Sequence, residues 1–119
     1  MAVEGKIVQD LGYQPLQFTA TAAMSPGEVV AVPDGRLGIV GGLTSIANTE
    51  QASAHVKGIA DLNCLTTDTP AIGVSIYWDV SNNRATTTSS GNTFIGQAHE
   101  AKASGAARGI VLLNEGTLP

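Results

Sequence analysis

Charged residues are scarce in this chain of 119 residues, where they make up 13% of the sequence. An average soluble domain has about 25%. Six lysines and arginines stand against ten aspartates and glutamates, which gives a net charge of -4. So few cations, scattered along the chain, cannot build the basic face that nucleic acids or anionic lipids require. We therefore expect neither a nucleic acid nor a membrane as a partner.

Cysteines, aromatic residues and long apolar runs are also few. The single cysteine, Cys64, excludes an internal disulfide and a thiolate metal cluster within one chain. No apolar run approaches the ~20 residues of a membrane-spanning helix, and the N-terminus lacks the layout of a secretory signal. Only five residues are Phe, Trp or Tyr, so small aliphatic side chains must build the core. These features predict a globular protein made in a reducing cytoplasm.

Catalytic and metal-binding signatures are missing as well. His99 beside Glu100 could form a general base with its orienting carboxylate, or half a metal site, and Cys64 could act as a nucleophile. No Gly-x-Ser-x-Gly, Walker loop or His-Glu-x-x-His accompanies them. We interpret the histidines as polar surface at strand ends and Cys64 as a small buried hydrophobe. The sequence therefore predicts no enzyme, no metal and no cofactor.

The remaining pattern is that of an all-β protein. Fourteen glycines and five prolines separate short apolar runs rich in β-branched residues, and turn signals recur roughly every ten residues. Such spacing is typical of a single small β-sandwich or barrel of short antiparallel strands. Residues 54–65 read as one strand with a possible bulge at Gly58. In residues 72–78, Ile72, Val74, Ile76 and Trp78 are predicted to share one face, and Asp79 to open a hairpin turn.

Residues 1–15 do not follow this rhythm, and we assign them to an extended N-terminal arm that precedes the domain of residues 16–119. The arm carries apolar residues at mixed spacing, and these are the candidate interface with a partner or another protomer: Val3, Ile7, Val8, Leu11 and Tyr13. Such an arm could pack on its own barrel, or it could add a strand to the sheet edge of a neighbour.

The order of several segments resembles the capsid cement (decoration) proteins of tailed bacteriophages. A hydrophobic strand ending Ile76-Tyr77-Trp78-Asp79 is followed by a short turn, by Ile95-Gly96, and by Arg108-Gly-Ile-Val-Leu-Leu-Asn114. Upstream, Ser25-Pro-Gly-Glu-Val-Val30 is similar to that family's turn into a valine-rich strand. The resemblance extends from about Gly12 to Asn114.

That resemblance implies a structural virion protein on the outer capsid surface, synthesised in the host bacterial cytoplasm. Its partners would be the phage major capsid protein and its own copies, as a homotrimer or a homodimer. The family has no active site and no cofactor, so the segment of Ile76, Tyr77, Trp78, Asp79, Ile95 and Gly96 would serve as a structural core motif.

Two other classes of protein compete with this reading. A small carbohydrate-binding or host-surface-binding module could use Trp78 or Tyr77, because exposed aromatic rings stack on sugars. An enzyme could act through His99 and Glu100, or through Cys64.

Overall fold

Ten short strands arranged in two antiparallel sheets make up the computed structural model, which describes residues 5–9, 15–33, 35–41 and 45–114. The strands are β1 (Gly5–Gln9), β2 (Leu16–Thr19), β3 (Val29–Ala31), β4 (Leu37–Val40), β5 (Gln51–His55), β6 (Ile59–Asn63), β7 (Ser75–Asp79), β8 (Arg84–Thr86), β9 (Thr93–Ala98) and β10 (Arg108–Leu113). The described residues contain 48% strand and no helix, so none of them forms a helix able to span a membrane. The all-β expectation is confirmed.

The larger sheet has the order β1-β6-β10-β9-β7-β8 and curls until its far edge returns to β6. Cys64, directly after β6, forms a parallel bridge with Ala85 of β8, and the amide of Leu65 donates to the carbonyl of Ala85 at 2.9 Å. The five strands β6, β10, β9, β7 and β8 therefore form a small closed barrel. β1 pairs with the part of β6 that β8 leaves free.

The barrel interior is filled by small and medium aliphatic side chains around one large ring. Trp78, Ile76, Ile95, Leu62 and Leu113 are almost completely buried there. Leu37 and Ile39 of β4, in the smaller sheet, join the same cluster. The two sheets consequently share one core, which is consistent with a single domain.

The smaller sheet has the order β2-β5-β4-β3 and a second core on its other face. Because side chains alternate along a strand, Ile39 packs against the barrel while Val40 points the opposite way. Phe18, Met24 and Val56 pack around Val40 in this second cluster. Met24 forms an isolated bridge with Ile46, so the segments after β2 and before β5 cover this face.

The single strand expected over residues 54–65 is wrong. The chain turns at Gly58, whose φ of 114° is a conformation that glycine adopts readily and L-residues rarely do. β5 ends at His55 in the smaller sheet, and β6 begins at Ile59 in the larger one. What looked like a bulge is therefore the crossover between the sheets.

The prediction of one apolar face over residues 72–78 is correct for Ile76 and Trp78 and wrong for Ile72 and Val74. Gly73, at a φ of 89°, places residues 71–74 in a turn, and β7 begins at Ser75. Ile76 and Trp78 enter the core, but Ile72 is 71% exposed and Val74 is 38% exposed. The hairpin prediction is confirmed, because Asp79 Oδ1 accepts hydrogen bonds from the amides of Ser81 and Asn82 in the β7–β8 turn.

Candidate docking surface

The outer face of β1, β6 and β10 carries a row of aliphatic side chains. On β6, Ala60 and Leu62 enter the core, so Ile59 and Asp61 point outward. Leu112 lies directly opposite Ile59, and Ile110 directly opposite Asp61. Val8, at an irregularity in β1 beside Ile59, is 57% exposed. We call the surface of Val8, Ile59, Ile110 and Leu112 the outer face.

Charged groups border the outer face on one side. Arg108 Nε donates to Asp61 Oδ1 at 2.9 Å, and Arg108 Nη2 donates to the backbone carbonyl of Asp61 at 3.2 Å. Lys6 of β1 is the direct cross-strand neighbour of Asp61. A half-buried aliphatic centre next to a polar rim is the usual anatomy of a protein–protein interface.

β1 is held in place by contacts on its inner side. Ile7 packs against the barrel core, and the amide of Gly5 donates to the carbonyl of Gly27 at 3.0 Å. A Cβ at Gly5 would lie 2.6 Å from Leu62 Cδ2, so the buried side chain of Leu62 would have to shift to admit it. Of the predicted interface residues, the structure thus places Ile7 inward and Val8 outward. Val3, Leu11 and Tyr13 lie outside the described residues.

The segments that carried the family resemblance occupy the barrel wall. Ile76, Trp78 and Ile95 line the core, and Gly96 packs directly on the backbone of β10. Tyr77 points to the opposite side of the sheet, where its ring meets that of Phe94 edge-on at 6.0 Å. Trp78 is 1% exposed and Tyr77 is 7% exposed, so neither ring offers the accessible platform on which a sugar would stack.

Asp61, Asp68 and Asp79 each have a separate structural partner. Asp61 pairs with Arg108, and Asp79 closes the β7–β8 turn. Asp68 Oδ2 accepts from the Thr86 hydroxyl at 2.7 Å and from the amide of Thr87 at 2.9 Å. Hydrogen bonds from the side chain of Asn82 and from the turn amides lower the pKa of Asp79.

The histidines and the cysteine are likewise dispersed. His55 ends β5 and lines a cleft of about 300 Å³ between β1 and the smaller sheet, whereas His99 and Glu100 are exposed in the loop after β9. Burial raises the pKa of the Cys64 thiol, which lies in the core. Among the described residues, no group of three or more His, Cys, Asp or Glu side chains could hold a metal ion.

Sequence reasoning missed Ile59, Ile110 and Leu112 as surface residues. Side chains alternate between the two faces of β10, but residues 110–113 are all aliphatic. The sequence therefore does not reveal which two of them point outward. The pairing of β10 with β6 decides this. Val111 lies opposite the buried Ala60, and Val111 and Leu113 are both buried, so Ile110 and Leu112 face outward.

No curated protein and no solved structure matches this chain. A family model described as phage cement protein matches residues 9–113, nearly the whole chain. The interface-like outer face and the structural partners of Asp61, Asp68 and Asp79 agree with that match. The chain belongs to the phage cement protein family, with a structural role in stabilising the capsid.

Proposed function

We propose that this protein binds the outside of the assembled phage capsid through its outer face and stabilises contacts between major capsid protein subunits. It is made in the host cytoplasm, acts as a homotrimer or homodimer, and has no catalytic activity or cofactor. The observation that supports this proposal most directly is the aliphatic row of Val8, Ile59, Ile110 and Leu112. Val8 is exposed, the other three are half-buried, and none of the four belongs to either core cluster.

The outer face is suited to a weak contact that many copies of the protein make on one capsid. Burying one aliphatic side chain contributes about 1.5–3 kcal/mol, so a few partly exposed ones give a modest contact. A capsid offers many symmetric copies of its binding site, and linked copies of a ligand bind far more tightly than one. The ion pair of Arg108 with Asp61 would then fix orientation more than it adds affinity.

The N-terminal residues enter this proposal in two ways. Ile7 anchors β1 to the barrel, so its contribution is to hold Val8 at the surface. Val3, Leu11 and Tyr13 flank β1 in sequence, and we retain them as predicted contacts with the capsid or with a neighbouring protomer.

The test is co-sedimentation of the purified protein with expanded capsids that lack it, counting the copies bound per particle. We expect binding to saturate at a whole number per symmetry axis. Substituting Val8→Asp or Leu112→Asp should reduce binding at least tenfold, because a carboxylate would have to be desolvated in the contact.

The matched control is Ala31→Asp, which places the same charge on an exposed strand position of the smaller sheet. It should bind like the unmodified protein. Equal loss in all three variants, or no loss at Val8 and Leu112, would show that the outer face does not carry capsid binding. No binding of the folded, unmodified protein would contradict the capsid proposal itself.

A further inference from the structure

Two long loops, residues 65–74 and 99–107, meet at one end of the barrel and are locked together by Lys102. This side chain is 8% exposed. Its ammonium lies 2.6 Å from the carbonyl oxygen of Asp68, 3.2 Å from that of Thr66 and 3.3 Å from that of Ala103. An ammonium has three N–H donors, and here each has an acceptor within reach.

Backbone hydrogen bonds reinforce the same junction. The amide of Lys102 donates to the carbonyl of Pro70 at 3.2 Å, and that of Gly105 donates to Thr66 at 2.8 Å. The amide of Gly73 donates to the carbonyl of Ala98 at 2.8 Å. This bond ties the turn that carries Ile72 to the end of β9. The two loops therefore form one pre-ordered surface, which we call the loop end.

The loop end exposes aliphatic groups and almost no charge. Ile72 and Val74 protrude, and many of the other exposed residues are alanines and glycines. Of the three charged residues in these loops, Lys102 is buried and the Asp68 carboxylate is bonded to Thr86 and Thr87. Only Glu100 presents an exposed charge there.

We propose that the loop end is the surface through which copies of this chain associate with one another. The chain carries a net charge of -4, so two copies repel each other least where the surfaces that meet carry few charges. In a contact about a symmetry axis the same surface faces itself, and the loop end brings only one exposed charge, Glu100, from each copy into such a contact.

The order of the loops favours the same contact. Association normally costs the freezing of mobile side chains and loops, and a surface already fixed by Lys102 avoids most of that cost. Ile72 is the natural anchor, because it is the most exposed of the large aliphatic residues described. Neighbouring small residues allow a second backbone to approach closely. This inference rests on the proposed function, since it assigns the protomer contact of the oligomer proposed above.

The experiment is sedimentation velocity of the purified full chain without capsids, at concentrations from 1 to about 100 µM. We expect the unmodified protein to sediment as a dimer or a trimer of the 12.1 kDa chain. Ile72→Asp and Val74→Asp should shift it to the monomer, or weaken association at least tenfold. Both positions are exposed in a turn, so the melting temperature should hardly change.

Val80→Asp is the matched control, because Val80 is 65% exposed in the β7–β8 turn, outside the loop end. It should leave the mass unchanged. A monomeric unmodified protein at every concentration would overturn the inference, as would an oligomer that Ile72→Asp and Val74→Asp leave intact. If the two variants kept the mass of the unmodified protein but lost capsid binding, the inference would also be overturned, because the loop end would then contact the capsid. Because no capsid is present when mass is measured, failure of capsid binding would not affect this test.

Discussion

The side chain of Asn114 binds the carbonyl of Leu37 across the boundary between the two sheets. Asn114 Nδ2 lies 2.9 Å from Leu37 O, and it also donates to the carbonyl of Val56 at 2.6 Å. The residue after β10 is thereby tied to the start of β4 and to the crossover after β5. One amide group thus links the barrel to the smaller sheet.

Removing this amide should destabilise the protein. Asn114 has a φ of 52°, which glycine adopts without strain and alanine does not. Asn114→Gly should lower the free energy of unfolding by about 2 kcal/mol, because two carbonyls lose their donor. Asn114→Ala should cost about 1 kcal/mol more through backbone strain. Urea denaturation followed by Trp78 fluorescence measures both.

Asn83 provides the matched control, since it has the same φ of 52° but is exposed in the β7–β8 turn. Asn83→Gly should change the free energy of unfolding by less than about 0.5 kcal/mol, as expected of a surface position. A similar loss at both positions would mean that the backbone conformation, and not the inter-sheet bond, explains the effect at Asn114.

Gly96 should tolerate no side chain. A Cβ built there would overlap the carbonyl oxygen of Leu112 and lie 3.0 Å from Val111 Cγ1, so β9 and β10 would have to separate. We expect Gly96→Ala to lower the free energy of unfolding by about 3 kcal/mol or to prevent folding. On the neighbouring strand, a Cβ at Gly109 would be in ordinary contact, 3.4 Å from Cys64 Sγ.

Gly109→Ala is accordingly the control and should cost less than about 1.5 kcal/mol. Thermal unfolding of the two variants, prepared side by side, gives the comparison. If Gly96→Ala were as stable as Gly109→Ala, the close packing of β9 on β10 would not hold as described.

Cys64 should make stability fall in alkaline solution. Burial raises the pKa of its thiol, so the folded protein keeps the proton at a pH where the unfolded chain releases it. The contribution is fully present below the ordinary thiol pKa of about 8.5 and is lost as the pH rises above it. Urea denaturation between pH 7 and 10 should therefore show a steeper decline for the unmodified protein than for Cys64→Ala. Parallel curves for the two proteins would contradict this assignment.

Trp78 should report a completely buried ring. Because it is 1% exposed, its emission should be blue-shifted and resistant to iodide, and both properties should be lost in urea. Glycans should leave the emission unchanged, since the ring is not available for stacking. Saturable quenching by a glycan would reopen the carbohydrate-binding alternative.

Sequence reasoning anticipated a large part of the strand content. The run ending at Trp78 forms a strand, Ile76 and Trp78 face the core together, and the turn at Asp79 forms as predicted. These elements are bounded by glycine or by Asp and Asn, whose backbone preferences act locally. Local chemistry was sufficient to locate them.

The candidate surfaces were harder to predict. Val8 was named in advance and is exposed in the structure, while its role in binding stays a prediction. Ile72 was expected to share the buried face with Trp78, but the turn at Gly73 leaves it in solvent. An aliphatic residue next to a strand looks the same in sequence whether it continues that strand or leaves it.

Composition and local pattern by themselves determined that this is a small all-β protein without a basic face, built around Ile76 and Trp78. Only the tertiary structure decided which strands are neighbours. The crossover at Gly58, the closure of Cys64 onto Ala85 and the three-carbonyl site of Lys102 join segments up to about 36 residues apart. Such contacts depend on which pairings bury the most apolar surface at once. That is a property of the whole chain, and no window of neighbouring residues contains it.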